Sequence, residues 1–347
     1  MESYGEFDYK KYLYYFLIFL MISVSIFLIL YFVFSQNNEI KILISFSLES
    51  IITLITLIVI YYTLDGIRLY YILKTLDYKL AVKDMYISVF LKYFISNVTP
   101  FSSGGGAAQI YYLQDTGAEA GKSTAAIVLR TVISTTILLL TAPLIMLSNQ
   151  KFFALITGPI YILSFFIFFS LYIFIVYIMF FKNRFLKKII LRLLNFIKRK
   201  KLLSSKKYKK ILKYSFKHLE LFSRDIIEFM KQEKKSVVIT IFLTFLFLIT
   251  EYTFSYFLLR ALGYYQIGYL NVIFLHTVIA FIMFFTPAPG AAGGAEAGFI
   301  FFYRNLVAKN DVLSLLFFWR FFTKYLGIFI GMLTFSYLVI SNRRESN

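Results

Sequence analysis

Cysteine is absent from the 347 residues, histidine occurs twice and tryptophan once. Such a chain can build no disulfide, thiolate metal site or cysteine nucleophile. His218 and His276 are too few for a multi-histidine metal centre, so no metal and no other cofactor is expected. Charge is scarce as well: 16% of residues are Asp, Glu, Lys or Arg, against about 25% in soluble domains. What is abundant is aromatic and apolar, with 42 Phe, 28 Tyr and 59% hydrophobic residues overall. Several apolar runs reach the roughly 18 residues or more that cross a hydrocarbon core of about 30 Å. The expected class is an all-α polytopic integral membrane protein. Residues 12–34 form an apolar run too long for a signal-peptide core and lack a small-residue cleavage site, so they are read as a first span.

A net charge of +19 would suit nucleic acid, but its placement argues otherwise. Residues 182–235 hold 19 Lys or Arg against Glu220, Asp225, Glu228 and Glu233. Ile189, Ile190, Leu193, Leu194 and Ile197 recur there at helical spacing, the pattern of a helix lying on a membrane surface. The segment is therefore expected to be a cytoplasmic loop by the positive-inside rule, either plainly basic or a patch for an anionic membrane surface. No nucleic-acid module fits it. Fixing this loop inside orients the rest: spans at 12–34, 42–64, 123–147, 152–181, 236–260 and 313–340, with both termini cytoplasmic in a multi-pass plasma-membrane protein. Asp65 and Arg68 then fall at the end of a span, as an interfacial anchor.

Two segments resist this scheme. Residues 84–98 amount to about 22 Å of helix, too short to span, and are followed by "TPFSSGGGAAQ". Residues 264–308 contain "TPAPGAAGGAE". Each is expected to be a hairpin that enters the bilayer, breaks at Thr-Pro and returns on the side it came from. The two enter from opposite faces, so the single membrane domain 1–347 reads as two half-repeats, 12–147 and 152–341. About six spans plus two broken re-entrant hairpins make an inverted-topology repeat, an architecture of secondary transporters. Aligning Thr99-Pro100 with Thr286-Pro287 sets Gly106 against Gly293 and Gln109 against Glu296. The competing reading makes both stretches ordinary loops outside the membrane.

Irregular backbone in lipid leaves polar groups unpaired at several kcal/mol each, so breaks at depth must be packed in protein or line a hydrated cavity. Ser102 and Ser103 can satisfy nearby backbone groups, and Gly104, Gly105, Gly293 and Gly294 permit close approach of backbone to a headgroup. The half-helix that follows each break offers N–H groups and a positive dipole end to phosphate or carboxylate. Arg130 and Arg320 lie in the spans that follow, as phosphate partners or as snorkelling interfacial residues. Glu296 has no base beside it in sequence. It reads either as a proton-coupling carboxylate or as a cap on its own half-helix. Glu49 and Glu251 are further intramembrane acids, and His276 reads as a hydrogen-bonded packing residue.

"TPFSSGGGAAQIYYL", "GKSTAAIVLR" and "TPAPGAAGGAEAGF", together with "DGIRLY" at 65–70, resemble the flippase-like membrane domain of lysylphosphatidylglycerol synthases over about 40–340. The resemblance implies movement of an aminoacylated phosphatidylglycerol across the plasma membrane. It also implies a separate soluble domain that transfers lysine from charged tRNA. Nothing after residue 341 could form that domain, so a stand-alone member is expected. Ala107 and Ala108 stand where relatives often carry Arg or Glu after Gly-Gly. The leading functional expectation is a phospholipid transporter whose headgroup meets Thr99, Pro100, Ser102, Ser103, Gly104, Gly105, Gln109 and Arg130, and Thr286, Pro287, Gly293, Gly294, Glu296 and Arg320. Alternatives from other classes are a lipid-modifying transferase, with phosphatidylglycerol lysyltransferase implied by the resemblance, and an ion or small-solute carrier. A homo-oligomer is left open.

Overall fold

The computed structural model of the chain describes residues 21, 46–99, 102–148, 159–200, 205–231 and 234–345. The expected first span, 12–34, lies outside these residues except for Met21. Among the described residues there are helices and turns and no strand. The helices are α1 Leu48–Thr75, α2 Val82–Asn97, α3 Ser103–Asp115, α4 Ala120–Ser148, α5 Pro159–Phe181, α6 Asn183–Arg199, α7 Ser205–Lys231, α8 Lys234–Ala261, α9 Tyr269–Phe284, α10 Gly294–Tyr303, α11 Lys309–Arg320 and α12 Leu326–Glu345. A π-helical turn, Phe321–Tyr325, joins α11 to α12.

Four stretches are long and apolar enough to cross a bilayer: Leu48–Thr75, Ala120–Ser148, Lys234–Ala261 and Asp311–Leu338. A fifth is added if Ile167–Phe181 and the helix after it, bent by 95°, count as one span. The four coincide with four of the six expected spans, and Ile167–Phe181 falls within the expected span 152–181. Helices α2, α3, α9 and α10, of 16, 13, 16 and 10 residues, are each shorter than the roughly 20 residues of a span. They are the arms of the two interrupted segments. Several helices stop where the backbone turns left-handed. Asp77 (φ 56°), Gly117 (97°) and Gly263 (88°) follow α1, α3 and α8, and the next residue's N–H returns to a carbonyl five residues back, at 2.9 Å in each case. That closure satisfies carbonyls a helix end would otherwise strand.

The chain forms two compact units. The first comprises Met1–Gly66, Val82–Gln109 and Phe245–Asn347. In it α12 lies along α2 with almost no space between backbones. A Cβ on Gly331 would fall 2.2 Å from the Phe90 carbonyl oxygen, and one on Gly327 would fall 2.6 Å from the Tyr62 hydroxyl. Glycines one turn apart permit such close packing where no aqueous hydrophobic effect drives helices together. Tyr61 stacks on Phe247 at 4.9 Å, and Phe299 stacks on Tyr303 at 4.3 Å and on Trp319 at 5.0 Å.

The second unit comprises Ile67–Ala81 and Ile110–Thr244. Its amphipathic α7 packs along α4 and also meets α5 and α6. Arg68, 2% exposed, donates to Thr244 Oγ1 (3.1 Å), the Arg130 carbonyl (3.3 Å) and Ser134 Oγ (2.5 Å). The expected anchor pair thus packs against protein: the apolar helix runs on to Thr75, and Asp65 and Arg68 are buried within it.

Candidate functional site

Both interrupted segments are antiparallel hairpins, the second within the first unit and the first within it as far as Gln109, and in each a threonine at the turn lies against a glycine of the returning helix. In the first, the Thr99 hydroxyl donates to the Ile95 carbonyl at 2.8 Å and accepts the Gly104 N–H at 3.0 Å. One side chain thus serves the end of α2 and the start of α3. Gly105 is pressed on α2: a Cβ there would lie 1.9 Å from Ser96 Oγ and 2.8 Å from the Lys92 carbonyl. Farther down, Gln109, wholly buried, donates to the Ser88 carbonyl (3.0 Å) and Ser88 Oγ (3.1 Å). Ser102, in the left-handed region at φ 53°, and Ser103 are exposed at the turn. Pro100 lies outside the described residues.

In the second hairpin the Thr286 hydroxyl donates to the Ile282 carbonyl at 3.0 Å, and Gly294 sits so close that a Cβ would lie 2.0 Å from that hydroxyl. Pro287 is exposed. Thr286 therefore faces Gly294 as Thr99 faces Gly104. The glycine comes eight residues after the threonine in one case and five in the other. The difference is a 3-10 turn, Pro289–Ala291, which packs on α2. The ungapped alignment of the two motifs thus shifts by three residues, and Gln109 corresponds to Phe299 rather than to Glu296.

Glu296 combines two roles that the sequence left as alternatives or did not show. Its Oε2 accepts the Gly293 N–H at 2.6 Å, capping α10, with Gly293 at φ 87°. Its Oε1 accepts from Arg320 Nε at 2.9 Å and Nη2 at 2.8 Å. Arg320 Nη1 also donates to the Gly290 carbonyl at 3.2 Å. The arginine therefore ties the carboxylate to the irregular turn beside it. Glu296 and Arg320 are 9% and 4% exposed, so the carboxylate that has no base beside it in the sequence has a buried cation against it.

Two further ion pairs occupy the same unit. Lys92 on α2 bonds the carboxylate of wholly buried Asp65, its ammonium over the Tyr93 ring at 4.3 Å. Lys324, in the π turn, pairs with Glu251 on α8 at 3.6 Å. The sequence reading missed Lys92 and Lys324 altogether. The signal was present, since each is a base inside an apolar segment, where a charge at the centre of a helix costs roughly 2.5–3.5 kcal/mol on insertion scales. Glu251, which the sequence offers only as an intramembrane acid, thus has Lys324 as its cation. His276 packs among Phe299, Tyr303 and Trp319, and its Nε2 meets no hydrogen-bond partner among the described residues. Arg130, buried on α4, belongs to the second unit.

The family model for the lysylphosphatidylglycerol synthase TM region matches residues 16–331. The chain belongs to this family. The match contains both hairpins and all six residues of the three ion pairs, and membership ties the protein to membrane lipid. Comparison with curated proteins gave no match.

Proposed function

We propose that the protein carries a phospholipid headgroup from one leaflet of the plasma membrane to the other while the acyl tails remain in the bilayer. The observation that carries this reading is the set of three buried ion pairs, Asp65–Lys92, Glu251–Lys324 and Glu296–Arg320, held in one unit with the breaks of both hairpins. Buried pairs are poor stabilisers, because desolvation offsets most of their attraction. An exchange role explains three of them in one membrane unit. A headgroup phosphate competes with Glu296 for Arg320, whose fork suits two phosphate oxygens. An ammonium, as in an aminoacylated phosphatidylglycerol, competes with Lys92 or Lys324 for a carboxylate. Each exchange keeps the group that takes the headgroup paired and releases its former partner, Glu296 or a lysine, whose charge is then met by water or by the opposite charge of the same headgroup.

Thr99, Gly104, Gly105, Thr286, Gly293 and Gly294 hold the breaks in shape in this proposal. Gln109, Ser102, Ser103, Pro100 and Pro287 keep their proposed places along the headgroup path, and Arg130 meets phosphate on its own helix. The hairpins enter from opposite faces of the membrane, with the basic 182–235 segment and both termini cytoplasmic. The test is lipid movement in proteoliposomes, measured with fluorescent and aminoacylated phosphatidylglycerol. Wild-type protein is expected to move lipid and Glu296→Gln to slow it at least about ten-fold, the cost of weakening one charge-assisted contact by about 1.4 kcal/mol. Full activity in that variant, or lysyl-lipid formed from lysyl-tRNA by the purified chain, would overturn the proposal.

A further inference from the structure

Helix α6 divides its surface in three. With 100° between successive residues, Phe185, Ile189, Leu193 and Phe196 share an arc of about 80°, and all four are exposed, Leu193 at 57% and Phe196 at 61%. Ile190, Leu194 and Ile197 form the next arc, turned toward α7, which packs on this helix, and Leu194 is buried there. The remaining arc is basic. Six of the helix's 17 residues are Lys or Arg and none is acidic, and exposed Lys188, Arg192 and Arg199 border the apolar arc. The bare apolar stripe is therefore separate from the face that packs against protein. Helix α6 also begins directly after the apolar helix α5, from which it is bent by 95°. If α5 runs across the bilayer, a right-angle bend at its end lays α6 along the surface.

We infer that α6 is an interfacial anchor: the Phe185–Ile189–Leu193–Phe196 stripe enters the headgroup–acyl boundary of the leaflet where α5 ends, and Lys188, Arg192 and Arg199 bind the phosphates of anionic lipids there. An in-plane helix of this kind sinks its apolar face about 5–10 Å while its cations stay at headgroup level. The stripe supplies affinity for any bilayer, and the flanking cations select anionic lipid. Each cation near an anionic surface favours contact by about five-fold, and the three together by on the order of a hundred-fold. The anchor is independent of which headgroup, if any, is transported.

The chain's lack of cysteine makes the test direct. Full-length Leu193→Cys and Lys198→Cys proteins, each carrying one environment-sensitive fluorophore, are placed in nanodiscs of phosphatidylcholine with and without phosphatidylglycerol. Quenching is compared between lipids spin-labelled near the headgroup and iodide in water. At position 193 lipid quenching is expected to dominate and to rise with phosphatidylglycerol, whereas position 198, opposite the stripe, stays open to iodide. Changing Lys188, Arg192 and Arg199 together to Gln abolishes the rise. Emission from buried Trp319 reports whether that variant is folded, and the comparison of the two lipid compositions needs no charge variant at all. Three results overturn the inference: iodide access at 193 in phosphatidylglycerol discs, lipid quenching at 193 that ignores phosphatidylglycerol, or shielding of 193 from both quenchers, which means protein covers the stripe.

Discussion

Glu296→Gln, Arg320→Met and the double variant separate what the buried pair does for folding from what it does for transport. Glutamine keeps a neutral oxygen for the Gly293 N–H, so the α10 cap survives, but both bonds from Arg320 to Oε1 lose their ionised acceptor. Arg320 is then a buried cation whose remaining acceptor among the described residues is the Gly290 carbonyl. Breaking a buried pair from one side costs about 3–5 kcal/mol, whereas replacing both members by groups of similar size is often neutral. Each single change is therefore expected to lower stability by about 3–5 kcal/mol, and the double change by little more than about 1 kcal/mol. The coupling, about 5 kcal/mol or more, exceeds the upper end, about 3 kcal/mol, of what contacting residues usually show. Denaturant unfolding of the four proteins in one detergent gives the cycle, and lipid movement in proteoliposomes runs beside it. A double variant that is stable but inactive is the expected outcome, since the exchange chemistry needs both charges. Additive single effects would show that the two side chains do not depend on each other, and a stable, fully active double variant would remove the pair from the transport mechanism.

Other expectations rest on different parts of the chain. Gly331→Ala places a Cβ 2.2 Å from the Phe90 carbonyl oxygen, where backbone must move. A loss of about 1–3 kcal/mol or more in unfolding free energy is expected; an unchanged Tm would mean that α12 and α2 do not touch as described. Burial raises the pKa of Asp225 above its ordinary value, against the opposing pull of Arg224, while a Cβ on Gly121 at the start of α4 would meet its Oδ2 at 2.2 Å. With the folded pKa raised, protonation favours the fold. The stability due to Asp225 is full below the unfolded carboxylate's pKa and is lost as pH rises through the higher folded value. Asp225→Asn is expected to flatten that decline in a Tm-against-pH profile. Single cysteines at Ser102 and Pro287, both exposed, are expected to react with an impermeant thiol reagent from opposite sides of sealed vesicles; labelling from one side would end the inverted arrangement.

The fold was legible where physics acts locally. Apolar length alone located the helices now seen at Leu48–Thr75, Ala120–Ser148 and Lys234–Ala261, because lipid leaves the backbone no other way to satisfy its hydrogen bonds. The two breaks were legible too, since Thr-Pro followed by glycines is incompatible with continued helix. Their internal register was not: the extra 3-10 turn at Pro289–Ala291 depends on Gly290 and Ala291 adopting positive φ, and no local pattern announces an alanine there. Charge partners were least legible. Asp65 and Lys92 are 27 residues apart, Glu251 and Lys324 73, so only the packing of α1 on α2 and of α8 on the π turn brings them together. Counting bases as well as acids inside apolar segments would have named Lys92 and Lys324 as candidates, without saying which carboxylate each would meet.

The π turn at Phe321–Tyr325 is where fold and site meet. Arg320 precedes it, Lys324 lies within it, and Gly327 and Gly331 follow on α12. Four residues on a regular helix advance about 400°, so Arg320 and Lys324 would point almost the same way. Here they reach different carboxylates on different helices, Glu296 on α10 and Glu251 on α8. The wider turn takes up one extra residue, changing the phase of α12 relative to α11. That phase lets Gly327 and Gly331 face Tyr62 and Phe90 while Arg320 still faces Glu296. A plain α-helix through the same sequence would have to give up either the ion pair or the glycine seam. Single-turn π segments recur at functional sites, and the conflict resolved here supplies a physical reason: one helix must meet the irregular turn of a broken hairpin with its first half and pack backbone to backbone with its second.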